Sequence, residues 1–186
     1  MKRMLCIVVT FCLLHTGYQL NAQTTIIVDG AAKPAVTAQL ASNADDIKDA
    51  LDAYFEKLGS NLRKSNGLHV AKNVLVPKIS PEKIDIFFKI NQQGNDKNNF
   101  SNVSMAVKQT TDVFVGDESH KEIFTLLPSY LQGFDQIVKD FVKQRTIDQL
   151  NKDAAKATKE KESLEKRANK KEAKATKLSK QAKNIQ

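Results

Sequence analysis

Cysteine is missing from almost the whole chain. Of 186 residues only Cys6 and Cys12 are cysteines, and both fall within the first 22. Once that segment is removed, disulfides, thiolate nucleophiles and cysteine metal sites are excluded. Tryptophan is absent, and residues 146–186 contain no aromatic side chain, so that stretch has no platform for stacking bases or sugars. The seven glycines are scattered, and none of their spacings makes a phosphate-cradling loop. Long apolar runs are also lacking. The longest, Met4 to Leu14, is broken at Thr10 and is far shorter than the ~20 residues of a membrane-spanning helix.

That short run is informative for what flanks it. Met1-Lys2-Arg3 precedes it, and small and polar residues ending in Leu20-Asn21-Ala22-Gln23 follow it. A cationic start, an apolar centre and a small residue before the cut form the layout of a secretory signal. Cleavage is placed between Ala22 and Gln23, although Leu20 is larger than the residue usual at its position. An uncleaved anchor is disfavoured by the length of the run. Phe11 stands before Cys12 where a lipid-anchoring cysteine needs a small neighbour, so a lipoprotein is not read. The expected location is exported, in the periplasm or secreted, with no stable membrane span after cleavage.

Charge is placed unevenly. Residues 23–144 carry 14 Lys+Arg against 15 Asp+Glu, a net of −1, and residues 145–186 carry 13 against 6, a net of +7. The high pI of 9.4 is therefore a property of the C-terminal segment, and a partner that needs positive charge would meet it there.

Four segments follow: a signal peptide at 1–22, an N-terminal strand or linker at 23–42, an α+β domain at 43–145 and a basic Ala/Lys/Glu-rich helix at 146–186. In the second, Thr25–Val28 is a candidate strand, and a mobile terminus is the alternative. Ile47, Leu51, Tyr54, Phe55, Leu58 and Leu62 share one helical face, predicting a helix from about Asn43 to Lys64. Ser42 with Asp45, or Asn43 with Asp46, can cap its start, and Asn66-Gly67 is read as its stop. Short β runs at Leu68–Ala71 and Asn73–Val76 come next. Lys83–Asn91 then alternates, with Ile84, Ile86, Phe88 and Ile90 on one face and Phe87 on the other. A polar loop at 92–98 leads to a second alternating strand, Phe100–Gln109. Val113–Val115 is an edge strand or a turn. Phe87 is read as a surface contact or as covered by a second layer such as the N-terminal segment. Helical periodicity resumes near Ser119, with Ser119 and Glu122 at capping-box spacing, and continues across Pro128 as one kinked helix or two abutting ones. The expected fold is a two-layer α+β domain with helices on one face of a small antiparallel sheet, trailed by a long helix with coiled-coil-like heptads. Ile86, Phe88, Val103 and Met105 are expected to be buried with Leu51, Phe55 and Leu58.

In the trailing helix one seam is Ile147, Ala154, Lys161, Ala168, Ala175, Ala182. Its companion is Leu150, Ala157, Leu164, Lys171, Leu178, Ile185. Six heptads in register are sustained patterning. Alanine fills five of the twelve positions and lysine two, so the seam buries little area per contact. Three readings stand together: a solvated single helix or frayed tail, a coiled coil either between subunits, where self-association is expected to be weak, or folded back on the domain, and a polyanion-binding arm. The residues for polyanion or partner contact are Lys166, Arg167, Lys170, Lys171, Lys174 and Lys177.

Candidate chemistry is sparse. His69 opens a strand, and His120 sits among Asp117, Glu118, Ser119 and Glu122. Glu118 and Glu122 share a helical face, but His120 falls between them and points elsewhere, so the group is a poor metal or acid–base site. The spacing Gly116-x-x-Ser119 does not make a nucleophile elbow. No catalytic residue, metal site or cofactor is assigned. The expected partner is an unknown envelope protein or a polyanion.

Leu58-Gly59-Ser60-Asn61-Leu62-Arg63-Lys64-Ser65-Asn66-Gly67, with Ala71–Pro77 and Lys83–Lys89, resembles uncharacterised exported proteins of the Bacteroidota that pair a small domain with a Lys-rich C-terminal helix. The resemblance implies a Gram-negative periplasm or exterior and no known activity. In composition alone, the tail is also similar to the helices of periplasmic spacers and cradle-like chaperones, whose order of elements differs.

Overall fold

Period-two alternation, cut at intervals by residues that accept positive φ, produces a six-stranded antiparallel sheet. The computed structural model describes residues 23–93, 100–109, 113–116 and 118–183, with side chains to Leu178. The strands are β1 (Gln23–Val28), β2 (Ala31–Leu40), β3 (Leu62–Ser65), β4 (Leu68–Leu75), β5 (Lys83–Gln93) and β6 (Phe100–Gln109). Helix α1 (Ala44–Lys57) separates β2 from β3, and α2 (Lys121–Lys183) ends the described chain. The sheet order is β1-β2-β6-β5-β4-β3. The chain divides into two compact units, one ending at Gln136 and the other comprising Ile137–Gln186.

Two tight turns set the hairpins. Asp29 and Gly30 (φ 49° and 80°) join β1 to β2, and Asn66 and Gly67 (φ 50° and 77°) join β3 to β4. Positive φ at both central residues gives a type I′ turn, whose twist matches that of the flanking strands. Asn66-Gly67 is therefore a hairpin turn rather than a helix stop. The helix ends earlier, at Leu58. Gly59 (φ 78°) donates its N–H to the Glu56 carbonyl at 2.9 Å, and the Ser60 N–H reaches the Phe55 carbonyl at 2.9 Å. This pair of bonds is the Schellman closure that a residue free to take left-handed φ permits. Leu62, which fits the helical face by spacing, lies instead in β3. Leu58 is 39% exposed and is not part of the core. At the other end of α1 the Asn43 side chain accepts from the Asp46 N–H at 2.8 Å, so the second of the two capping pairs is the one formed.

Residues 23–40 form two full strands. Pro34 is tolerated in β2 because it lies outside the β2–β6 ladder, which runs from Val36 to Leu40. The two β runs before Pro77 are one strand, β4, with a bulge between Ala71 and Val74. Asn73 takes φ 56° there and donates its N–H to Asp85 Oδ1 at 2.8 Å.

The core lies between one sheet face and the helices. Phe88 is fully buried from solvent, its ring 5.7 Å from that of Phe55 on α1 and 5.9 Å from that of Phe134 on α2. Ile86, Val103, Met105, Leu51 and Phe55 are buried with it, each side chain contributing about 1.5–3 kcal/mol by leaving water. The Ala41 N–H donates to Asp135 Oδ1 at 3.1 Å, linking the end of β2 to this part of α2.

The opposite sheet face holds a smaller cluster of Ile26, Val28, Ala35, Leu68, Val70, Phe87 and Ala106, with Phe114 packed against it. Phe87 is thus covered, and the N-terminal hairpin contributes to its cluster. Val113–Val115 pairs with the end of β6 through Gln109 N to Val113 O and Val115 N to Val107 O, both 2.9 Å. Ser119 does not cap α2. Its hydroxyl donates to the Phe114 carbonyl at 2.8 Å, and His120 (φ 58°) precedes the first helical residue. Helix α2 runs unbroken through Pro128. Gln92 and Gln93, expected in the polar loop, extend β5 and pair with Ser101 and Phe100, while the rest of that loop, Asp117 and the signal segment at 1–22 lie outside the described residues.

Candidate functional site

The tail begins with high helix propensity and no apolar face wide enough to bury itself. From Arg145 to Leu178 every residue is exposed. Ile147 is 40% exposed, Leu150 63%, Leu164 63% and Leu178 65%, so the larger seam residues among those described face solvent. Local bonds hold the helix. Lys161 Nζ lies 3.9 Å from Glu165, four residues on, and Lys156 Nζ lies 3.9 Å from Asp153. Gln149 donates to Asp153 at 3.1 Å. Such pairs add only about 0.2–0.5 kcal/mol each.

The six basic residues singled out by sequence are brought together by helical geometry. At about 100° per residue, Lys166, Arg167, Lys170, Lys171, Lys174 and Lys177 fall within an arc of about 140°. All six are exposed. Glu172, the one acid among them, lies outside that arc. The arc borders the apolar seam, with Lys171 in both.

The histidine candidates are not brought together. His69 is half-buried on β4, paired in register with Lys64 of β3 and Phe88 of β5. Burial is the main cause that lowers its pKa. Lys48 and Lys64 push in the same direction, and Asp52 opposes them. Asp52 itself accepts the Leu62 N–H at 3.1 Å, which ties α1 to β3. His120 stands in left-handed backbone, and its carbonyl accepts the Phe124 N–H at 3.0 Å. Among the described residues no three His, Asp or Glu side chains are grouped so as to hold a metal ion.

Two further arrangements had no motif in the sequence. The Tyr54 and Tyr130 hydroxyls are 3.2 Å apart, and the Phe134 ring meets both phenols edge-on at 5.2 Å. Burial, and then the bond with Tyr54, raise the Tyr130 pKa far above its ordinary value, so this phenol stays protonated and holds helix to helix. On the other face a depression of about 190 Å³ is lined by Val28, Asp29, Ala31, Lys33, Phe87, Lys108 and Phe114. Lys33 Nζ sits 4.9 Å over the Phe114 ring, and Lys108 Nζ lies 3.9 Å from Asp85. Both cations are engaged within the protein, and the volume is below the ~300 Å³ of ordinary small-molecule sites. Lys33 and Phe114 stand 81 positions apart, a pairing that only the fold creates.

No helix among the described residues is long and apolar enough to cross a membrane. No protein-family model matches the chain, and no curated protein or solved structure is significantly similar to it. The functional reading therefore rests on geometry and chemistry.

Proposed function

We propose that this is a non-enzymatic exported protein of the cell envelope, an interaction or scaffold protein whose domain meets a partner while the helix spaces or oligomerises it. One observation carries the reading: a long helix keeps Ile147, Leu150, Leu164 and Leu178 in heptad positions and leaves them 40–65% exposed. Large apolar residues kept in heptad register over about eight helical turns are the residues a partner helix would cover. The test is light scattering on residues 23–186 beside a chain ending at Asn151. The scaffold reading expects association that needs the tail and changes little with salt. Two monomers under all conditions would remove the oligomerising role.

The basic arc favours a second reading, a polyanion binder acting through Lys166, Arg167, Lys170, Lys171, Lys174 and Lys177 toward lipopolysaccharide phosphates or nucleic acid. Phosphate binding releases counterions and falls steeply with ionic strength. A salt titration separates the two readings, because an apolar seam responds weakly to screening.

A further inference from the structure

We infer that the tail helix pairs with the tail of a second copy in antiparallel orientation, centred between Glu162 and Ser163. The inference rests on the scaffold reading and deepens it by naming the partner. The unpartnered face is the exposed seam, and the choice of occupant comes from charge. Residues 145–165 carry five basic and five acidic side chains, whereas residues 166–186 carry eight basic and one acidic. A parallel pair would lay one strongly basic half beside the other. An antiparallel pair lays each basic half beside a balanced one.

The register follows from the residues. With the centre between Glu162 and Ser163, Ile147 faces Leu178 of the second copy, Leu150 faces Ala175, Ala157 faces Ala168 and Lys161 faces Leu164. The flanking positions then place Glu160 beside Arg167 of the second copy and Asp153 beside Lys174, and symmetry repeats both attractions. Sliding by one heptad in one direction sets Glu160 against Glu160 of the second copy. Sliding the other way sets Arg167 against Arg167 and Lys161 against Lys171. Lys161 is tolerable in the seam because its ammonium is already drawn out to Glu165, 3.9 Å away, leaving the methylene stem to pack. Lys166, Lys170 and Lys177 take no part in these contacts.

The test uses the mature chain, residues 23–186, which has no cysteine of its own. Ala157→Cys and Ala168→Cys are made singly and mixed, then linked with a short bismaleimide. The antiparallel pair gives a covalent 157–168 dimer in the mixture and little product from either variant alone. A strong product from Ala168→Cys alone signifies a parallel pair and overturns the inference while leaving the scaffold reading intact. No product from any combination overturns it as well; if that monomer then binds polyphosphate with a steep salt dependence, the scaffold reading falls too. A charge swap supplies the second readout. Glu160→Lys should weaken association about fivefold, through two symmetric contacts, and Glu160→Lys with Arg167→Glu should restore it. In a parallel pair Glu160 would face Glu165, so the single swap would strengthen association, a result that overturns the inference by its sign.

Discussion

Phe88 and Leu164 are both large apolar residues set in phase on a regular element, yet the first is 0% exposed and the second 63%. Phe88 sits on a strand whose neighbours in the sheet are fixed by ladders on both sides and whose face is covered by Phe55 and Phe134. Leu164 sits on a helix whose backbone bonds are satisfied within itself, so nothing in its own chain must cover it. A sheet forces long-range closure and buries its apolar face as a condition of forming. A helix of this composition forms from local bonds and can leave its apolar positions for another molecule. The two units thus carry the same kind of periodic signal with opposite consequences for stability.

The strongest way to break that contrast is at Phe88. Phe88→Ala removes a ring packed against two others in a fully buried site, and the expected loss is about 3–5 kcal/mol. Urea unfolding of residues 23–186 measures it. A midpoint unchanged by the substitution would place Phe88 outside the core.

A smaller effect is expected where α1 hands over to β3. A methyl group at Gly59 meets no atom within 4 Å, so only the backbone resists substitution. Holding alanine at φ 78° costs about 1–2 kcal/mol, and Gly59→Ala should lose that much while leaving the circular dichroism spectrum unchanged. If the substitution instead stabilised the chain, as alanine does inside a helix, the helix would run on past Gly59.

How much of this was legible beforehand depends on whether the deciding physics was local. The alternation of Ile84, Ile86, Phe88 and Ile90 is a property of one strand, and it located the core directly. The end of α1 at Lys57 is not legible from spacing, because Leu62 continues the helical spacing of Leu58 across the breaker at Gly59-Ser60. Asn66-Gly67 serves as a helix stop or a hairpin turn, and only the pairing of Leu62–Ser65 with β4 decides which. Residues 31–40 read poorly as a strand because their four alanines and Pro34 carry little β signal, although Asp29-Gly30 is a hairpin dipeptide. In the tail the seam and the basic residues were legible because a helix converts spacing into position without help from the fold. The notch of Lys33, Phe114 and Lys108 was not, since it joins residues that no local pattern connects.

His69 gives a pH test of the sheet unit with a definite sign. Its folded pKa lies below the ordinary 6.5, chiefly through burial, so the unfolded chain takes up a proton the folded one resists. Its contribution to stability is present above pH 6.5 and is lost as pH falls from there through the lowered folded value. Carboxylates also titrate toward acid, so the measurement is a difference: urea midpoints at pH 7.5 and 5.5 for the native chain and for His69→Gln. The variant should lose less stability between the two. Equal losses would mean that His69 titrates alike in both states.

The smallest effect is expected at Leu164, and it separates the two units most cleanly. Leu164→Ala exchanges an exposed leucine for the residue of highest helix propensity, so the unfolding free energy at low protein concentration should change by less than about 0.5 kcal/mol. The same truncation removes the side chain facing Lys161 of the second copy, twice per symmetric pair. Association measured by sedimentation equilibrium should therefore weaken severalfold while the stability of the isolated chain stays level. An Ala substitution at Phe88 cannot give that pattern, because the lost packing lies inside one molecule. If Leu164→Ala lowered stability in the dilute monomer by an amount comparable to a core change, the leucine would be covered by its own chain, and the tail would be a packed part of the monomer rather than a surface held out for a partner.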